Sequence, residues 1–179
     1  TVSGSLQNDQ AGSLTQNGGV INISGSYDND GKYLLSSGVM NVQHGGAIIN
    51  DSLFLNSGTL NNYGQITNNR SFLLSGGTFN NGDSAGDLFD NNGTFTYTGG
   101  SCSNNHIDYF DNSGGVFRGS GTMTGDFKNA AGGTLIPDPT NGVFTITGDF
   151  VNEGILEMDV SGVPQNDQLI VNGTATLNG

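Results

Sequence analysis

An apolar residue followed two positions later by asparagine recurs from one end of this 179-residue chain to the other. The intervals between these asparagines range from 17 to 23 residues and average 20.5. A fixed period of this length is typical of solenoids, in which each repeat is one coil stacked on the last. The repeating asparagines are Asn8, Asn29, Asn50, Asn68, Asn91, Asn112, Asn129, Asn152 and Asn172.

Each repeat contains three short apolar segments separated by Gly, Asn, Asp or Ser, which predicts three short strands around a roughly triangular coil. We therefore expect an all-β, single-stranded parallel β-helix, or β-solenoid, of about nine coils of about 20 residues each. Glycine and asparagine recur too often for helices of useful length, so essentially no helix is expected. Alternation along the strands predicts that Leu60, Ile66 and Leu73 point inward. Residues 1–179 are expected to form one domain, either a segment of a longer repeat protein or a protomer that stacks.

The repeating asparagine has a structural interpretation. At a corner its amide can hydrogen-bond the asparagines of the coils above and below, forming a ladder. The alternative is an array of amides that face a ligand. The constant apolar residue two positions earlier favours the ladder.

The formal net charge is −12, from 16 acidic and 4 basic residues. This field repels polyanions, so nucleic acid and anionic membrane surfaces are not expected as partners. No apolar run approaches the roughly 20 residues of a membrane-spanning helix, so membrane insertion is not expected. No cofactor is expected.

Acidic residues cluster around the ladder and suggest a calcium site. Asp9, Asp30 and Asp51 each directly follow a ladder asparagine, while Asp28, Asp90 and Asp111 directly precede one, the last two in adjacent coils. Carboxylates stacked at the strand spacing repel one another and could recruit Ca²⁺. The alternative is that they are solvated corner residues.

No nucleophile and base pair can be assembled from the sequence, and no catalytic residue is proposed. Cys102 falls where other coils place Leu60, so it is expected to be a buried hydrophobe. His44 and His106 lie in separate coils and are expected to be exposed. An enzyme is therefore not expected.

Residue types that are commonly exposed suggest two kinds of ligand-binding surface. Tyr33, Tyr97 and Asp111, taken as exposed, would support carbohydrate binding, although most aromatic residues occupy positions compatible with the core. Threonine triplets at 94–98, 145–147 and 174–176 suggest an ice-binding array. Their offsets from the ladder asparagines differ, which argues against a shared column.

The segment Gly121–Gly179 reads GTMTGDFKNAAGGTLIPDPTNGVFTITGDFVNEGILEMDVSG and closes with DQLIVNGTATLNG. It resembles the β-solenoid repeats of autotransporter passenger domains and related large bacterial surface and adhesin proteins. This resemblance implies an exported protein, secreted or at the cell surface of a bacterium, and assigns no catalytic residue.

The sequence thus predicts an extracellular structural or adhesive module that self-assembles head to tail into a fibre or forms a surface stalk. Its expected partners are further copies of itself, by stacking or lateral association, or an extracellular protein or glycan. The alternatives are a calcium- or carbohydrate-binding module and, less favoured, an enzyme acting on polysaccharides.

Overall fold

The computed structural model describes residues 1–82, 86, 88–106, 108–137, 142–160 and 166–178. All regular structure in these ranges is β-strand, as the glycine and asparagine content predicts. The strands, in chain order, are β1 Ser5–Asn8, β2 Ser13–Ile23, β3 Ser26–Asn29, β4 Lys32–Val42, β5 Ala47–Asn50, β6 Leu53–Asn56, β7 Thr59–Asn62, β8 Gln65–Asn68, β9 Ser71–Asn81, β10 Leu88–Asn91, β11 Thr94–Asn104, β12 Phe110–Asn112, β13 Val116–Gly119, β14 Gly121–Thr124, β15 Phe127–Asn129, β16 Thr134–Pro137, β17 Val143–Ile146, β18 Phe150–Asn152, β19 Ile155–Leu156, β20 Gln168–Val171 and β21 Ala175–Leu177.

These strands stack in parallel as a β-solenoid of about eight turns with roughly 21 residues per turn. Face 1 is a nine-stranded sheet, ordered β1-β3-β5-β8-β10-β12-β15-β18-β21. The other strands form a second sheet that bends within each turn into two faces. Face 2 contains β6, β13, β16, β19 and the first half of each eleven-residue strand, and face 3 contains β7, β14, β17, β20 and the second half. The predicted β-solenoid is confirmed.

Glycine makes the bend between faces 2 and 3 possible. Gly38 and Gly100 have φ values of 88° and 94°, in the left-handed region that side chains with a Cβ disfavour. A Cβ added to Gly100 would also collide with the carbonyl oxygen of Gly77 in the preceding turn. The corner is therefore closed by backbone packed directly on backbone.

An aromatic stack runs through the interior along face 2. The ring centroids of Phe54 and Phe72 are 5.0 Å apart, those of Phe72 and Phe95 are 4.9 Å apart, and those of Phe95 and Phe117 are 4.8 Å apart. These distances match the spacing of about 4.8 Å between neighbouring strands, so each turn contributes one ring. The rings are fully buried and fix the register of the turns.

The predicted inward positions are mostly confirmed. Leu60 and Ile66 are buried. The prediction for Leu73 is wrong, because Phe72 fills the interior and Leu73 points outward, half-buried. The segment 72–74 is continuously apolar, so alternation alone cannot tell which of its residues are inside.

Candidate functional site

The inner asparagine ladder is present and lies along the end of face 1. Each side-chain Nδ2 donates to the Oδ1 of the asparagine one turn later, at 2.7–2.8 Å, from Asn8 through to Asn152. Most rungs also donate to a backbone carbonyl, as Asn68 does to Thr94. Eight rungs are buried, and they are Asn8, Asn29, Asn50, Asn68, Asn91, Asn112, Asn129 and Asn152. The side chains serve the structure and do not face a ligand.

The ninth predicted rung, Asn172, lies elsewhere. The residue in register with Asn152 is Leu177, on β21, whereas the backbone of Asn172 pairs with Ile146 on face 3. Placing Asn172 in the ladder is therefore wrong. The chain between β18 and β21 is longer than the average step, so counting about 20 residues stops short of the true position.

Two further ladders were not foreseen. A second inner ladder runs through Asn62, Asn81 and Asn104 with N–O distances of 2.8 and 2.9 Å. An outer ladder on face 3 joins side chains at 2.8 Å per step, and it comprises Asn22, Asn41, Asn61, Asn80 and Ser103. The paired asparagines at 61–62 and 80–81 signal both ladders, since neighbouring residues on a strand point to opposite sides.

One acidic group forms at the corner after face 1. Carboxylate oxygens of Asp28, Asp30 and Asp51 lie within 4.8 Å of one another. Burial raises the pKa of Asp28, with the charges of Asp30 and Asp51 adding to it, and its Oδ1 is shielded without a hydrogen-bond partner. Asn69 donates to Asp51 Oδ1 at 2.8 Å. This group is the arrangement best suited to a cation among the described residues, since Ca²⁺ prefers carboxylate oxygens.

Asp9 is not part of that group. It begins a longer turn, closed by a 2.6 Å hydrogen bond from the Gly12 N–H to the Asp9 carbonyl. The sequence pattern assigns Asp30 and Asp51 to one column, after the ladder asparagine, and Asp28 to another column, before it. Asp28 faces outward from the strand just before the corner, so its side chain reaches the same space.

Asp90 and Asp111 are in register on adjacent strands of face 1, as expected. The next residue in this column is Lys128, whose Nζ lies 3.0 Å from Glu153. The pKa of Asp111 is raised, mainly by burial. The positive charge of Lys128 lowers this pKa, and the negative charge of Asp90 raises it. A lysine thus already supplies positive charge beside this pair.

The tyrosines considered for carbohydrate binding are not available to a ligand. Tyr33 and Tyr97 are 0% and 2% exposed. The Tyr33 hydroxyl donates to Gln16 Oε1 at 2.9 Å, and the Tyr97 hydroxyl donates to the Gly100 carbonyl at 2.9 Å. Their exposure was wrongly predicted, because both occupy inward positions of face 2.

Cys102 and the histidines differ in outcome. Cys102 is buried in register with Phe79, as predicted, and burial raises the pKa of its thiol to about 12. His44 is exposed. His106 was also predicted to be exposed, but its side chain is 5% exposed. It lies against Gly82 of the preceding turn, and its Nδ1 accepts the Asp108 N–H at 2.9 Å.

A cavity of about 400 Å³ lies near the C-terminal turn and is lined by Ile136, Glu157, Met158, Asp159 and Asp167. Asp167 is buried; its Oδ2 accepts the Asp159 N–H at 2.7 Å. The three carboxylates do not converge on one point as those of the corner group do. The described residues that line this cavity include acidic side chains but no nucleophile.

Comparison with protein-family models, curated proteins and solved structures gives no significant match. Within the described ranges, the structure contains no helix long and apolar enough to cross a membrane.

Proposed function

We propose that this chain is a structural module of an extended extracellular rod, which grows by stacking further turns on its end faces and assembles head to tail with copies of itself. The same rod could serve as a surface stalk with adhesive faces. Export and surface location rest on the resemblance of the segment 121–179 to bacterial surface solenoids. The support from the structure comes from the end turns.

The end turns carry inward apolar side chains that further turns would cover. In the last turn Leu156 and Leu169 are only partly buried, whereas Leu135 and Phe144, in register with them one turn earlier, are fully buried. In the first turn Leu14 is likewise only partly buried. Unpaired strand edges beside such side chains are templates for further parallel pairing.

Electron microscopy of negatively stained protein, with analytical ultracentrifugation, tests this proposal. We expect filaments, and we expect Leu169→Lys to abolish them because it places a charge where the next turn would stack. Ile170→Lys is the matched control, because Ile170 is the next residue on β20 and points outward, 42% exposed. Uniform short monomers of the parent protein, or equal effects of the two lysines, would rule out head-to-tail stacking.

Calcium binding is a second candidate, supported by the unpartnered Oδ1 of Asp28 beside Asp30 and Asp51. Ca²⁺ binding to the folded state alone would raise the melting temperature. We expect CaCl₂ to raise it in the parent protein and in Asp9→Asn, but not in Asp51→Asn. No calcium-dependent shift in the parent protein would exclude the site, and filaments that form only with calcium would link it to assembly.

A further inference from the structure

Face 3 carries two outward columns of small side chains that continue in register from turn to turn. The strand register joins Val20, Val39, Thr59, Thr78 and Ser101 in the first column, and Thr122, Thr145 and Ile170 continue it. The second column lies two residues further along each strand, and it comprises Asn22, Asn41, Asn61, Asn80, Ser103, Thr124, Thr147 and Asn172.

These columns differ from the rest of the surface in charge. None of the chain's 20 charged residues occupies either column, although outward positions of face 1 carry Asp28, Asp90, Asp111 and Lys128. Hydroxyl or amide groups occupy all but three positions, and those three are Val20, Val39 and Ile170. Face 3 thus presents methyl, hydroxyl and amide groups without charge on a chain whose net charge is −12.

The side chains are also held at a regular spacing. Successive turns place equivalent residues about 4.8 Å apart, and alternate residues along a strand are about 6.7 Å apart. The outer ladder repeats a 2.8 Å hydrogen bond at each of its four steps, from Asn41 Nδ2 to Asn22 Oδ1 and onward to Ser103. Side-chain ladders of this kind keep a sheet straight. Register shifts in β2 and β11 fall at the glycine corner and not within these columns.

We infer that face 3 binds ice. A surface that is periodic in two directions is complementary to a ligand that is itself periodic in two directions. Water next to methyl groups has restricted orientational freedom, and adjacent hydroxyl and amide groups can anchor that water by hydrogen bonds. The columns contain no aromatic ring, which a neutral polysaccharide would use for stacking on its sugars, so ordered water fits this face better than a glycan. This inference does not depend on assembly of the rod.

The threonine triplets alone do not reveal this face. Thr145 and Thr147 lie on it, but Thr94 and Thr96 lie on face 2 and Thr176 lies on face 1. The continuous column emerges only when serine and single threonines such as Thr59 are placed by register. The threonine triplets do not share one column, as their different offsets from the ladder asparagines indicate. Face 3 nevertheless carries a column of its own, made mostly of residues outside those triplets.

Uptake of the purified protein into slowly growing polycrystalline ice, together with thermal hysteresis, tests the inference. We expect the parent protein to enter the ice and Thr122→Leu/Thr145→Leu to be excluded, since two bulky side chains in adjacent turns interrupt the first column. The control is Thr94→Leu/Thr134→Leu, which makes the same two replacements in one outward column of face 2, one turn to either side of Val116, and should retain uptake. Circular dichroism and melting temperatures establish that both variants fold.

Three results would overturn the inference. The parent protein could be excluded from ice, or both double variants could lose uptake equally. Alternatively, the parent protein could sediment with crystalline chitin or cellulose, or form a lateral dimer, and this association could be lost in Thr122→Leu/Thr145→Leu but kept in Thr94→Leu/Thr134→Leu. The last outcome would assign face 3 to a glycan or to a second copy.

Discussion

Replacing one rung of the inner ladder, Asn91→Leu, tests what holds the turns together. Asn91 is 0% exposed; its Oδ1 accepts from Asn68 at 2.7 Å, and its Nδ2 donates to Asn112 Oδ1 at 2.7 Å. Leucine fills a similar volume, but it removes the acceptor of the Asn68 Nδ2 and the donor to the Asn112 Oδ1. Each unsatisfied buried polar group costs about 1–3 kcal/mol, so the two together cost about 2–6 kcal/mol, and burial of the leucine offsets about 1.5–3 kcal/mol of this.

We expect a net loss of about 1–3 kcal/mol in the free energy of unfolding, measured by urea denaturation with an unchanged m-value. The matched control is Asn92→Leu at the next residue, which is exposed and should change stability by less than about 0.5 kcal/mol. Asn68 keeps its bond to the Thr94 carbonyl, which limits the loss. If Asn91→Leu and Asn92→Leu unfold at the same urea concentration, the ladder does not stabilise the fold through buried amide pairing.

Two further predictions concern titratable groups. Burial raises the pKa of the Cys102 thiol to about 12. A thiol reagent at pH 8 should therefore modify Cys102 in the native protein only as fast as the protein unfolds locally, whereas in urea it should modify Cys102 at once. Rapid modification of the native protein would contradict the buried position of Cys102. The raised pKa of Asp111 means that the folded state binds this proton more tightly than the unfolded chain. Ionisation of Asp111 therefore lowers the free energy of unfolding as the pH rises through the raised pKa, and Asp111→Asn should be more stable than the parent protein at pH 7. This difference in stability should shrink on acidification from the raised pKa toward about 3.9, the value in the unfolded chain. Thermal melts across this pH range measure the difference, and a difference that grows on acidification would refute the sign.

The fold could be predicted because its strongest signal is local and repeated. An apolar residue and an asparagine two positions apart must both point inward on a strand, so Ile66 and Asn68 report the same side of the same turn. The ladder follows from that spacing. The failures occur where this signal is ambiguous or misleading. Leu73 lies within a continuous apolar run. Asn172 has the expected spacing from Ile170, but the chain returns to face 1 only in β21, where Leu177 takes the ladder position.

Outward positions were harder to predict for a physical reason. Packing constrains which side chains can point inward, whereas the side chains that point outward are free to vary. Which outward residues of neighbouring turns lie side by side also depends on the lengths of the corners between them. Asp28 illustrates this, since its proximity to Asp51 requires knowing how the corner bends. The burial of His106 likewise depends on its contact with Gly82 one turn away.

The variation in repeat length separates two kinds of surface on this rod. Ladder steps between 17 and 23 residues leave the strands in register, so inserted residues are accommodated in the corners while the faces keep their spacing. Corners can therefore acquire individual groups, such as the carboxylates of Asp28, Asp30 and Asp51. Faces instead repeat the same distance at every turn, because stacking of the core fixes it. A ligand recognised by a corner would be a single ion or group, whereas one recognised by face 3 must match a repeating lattice.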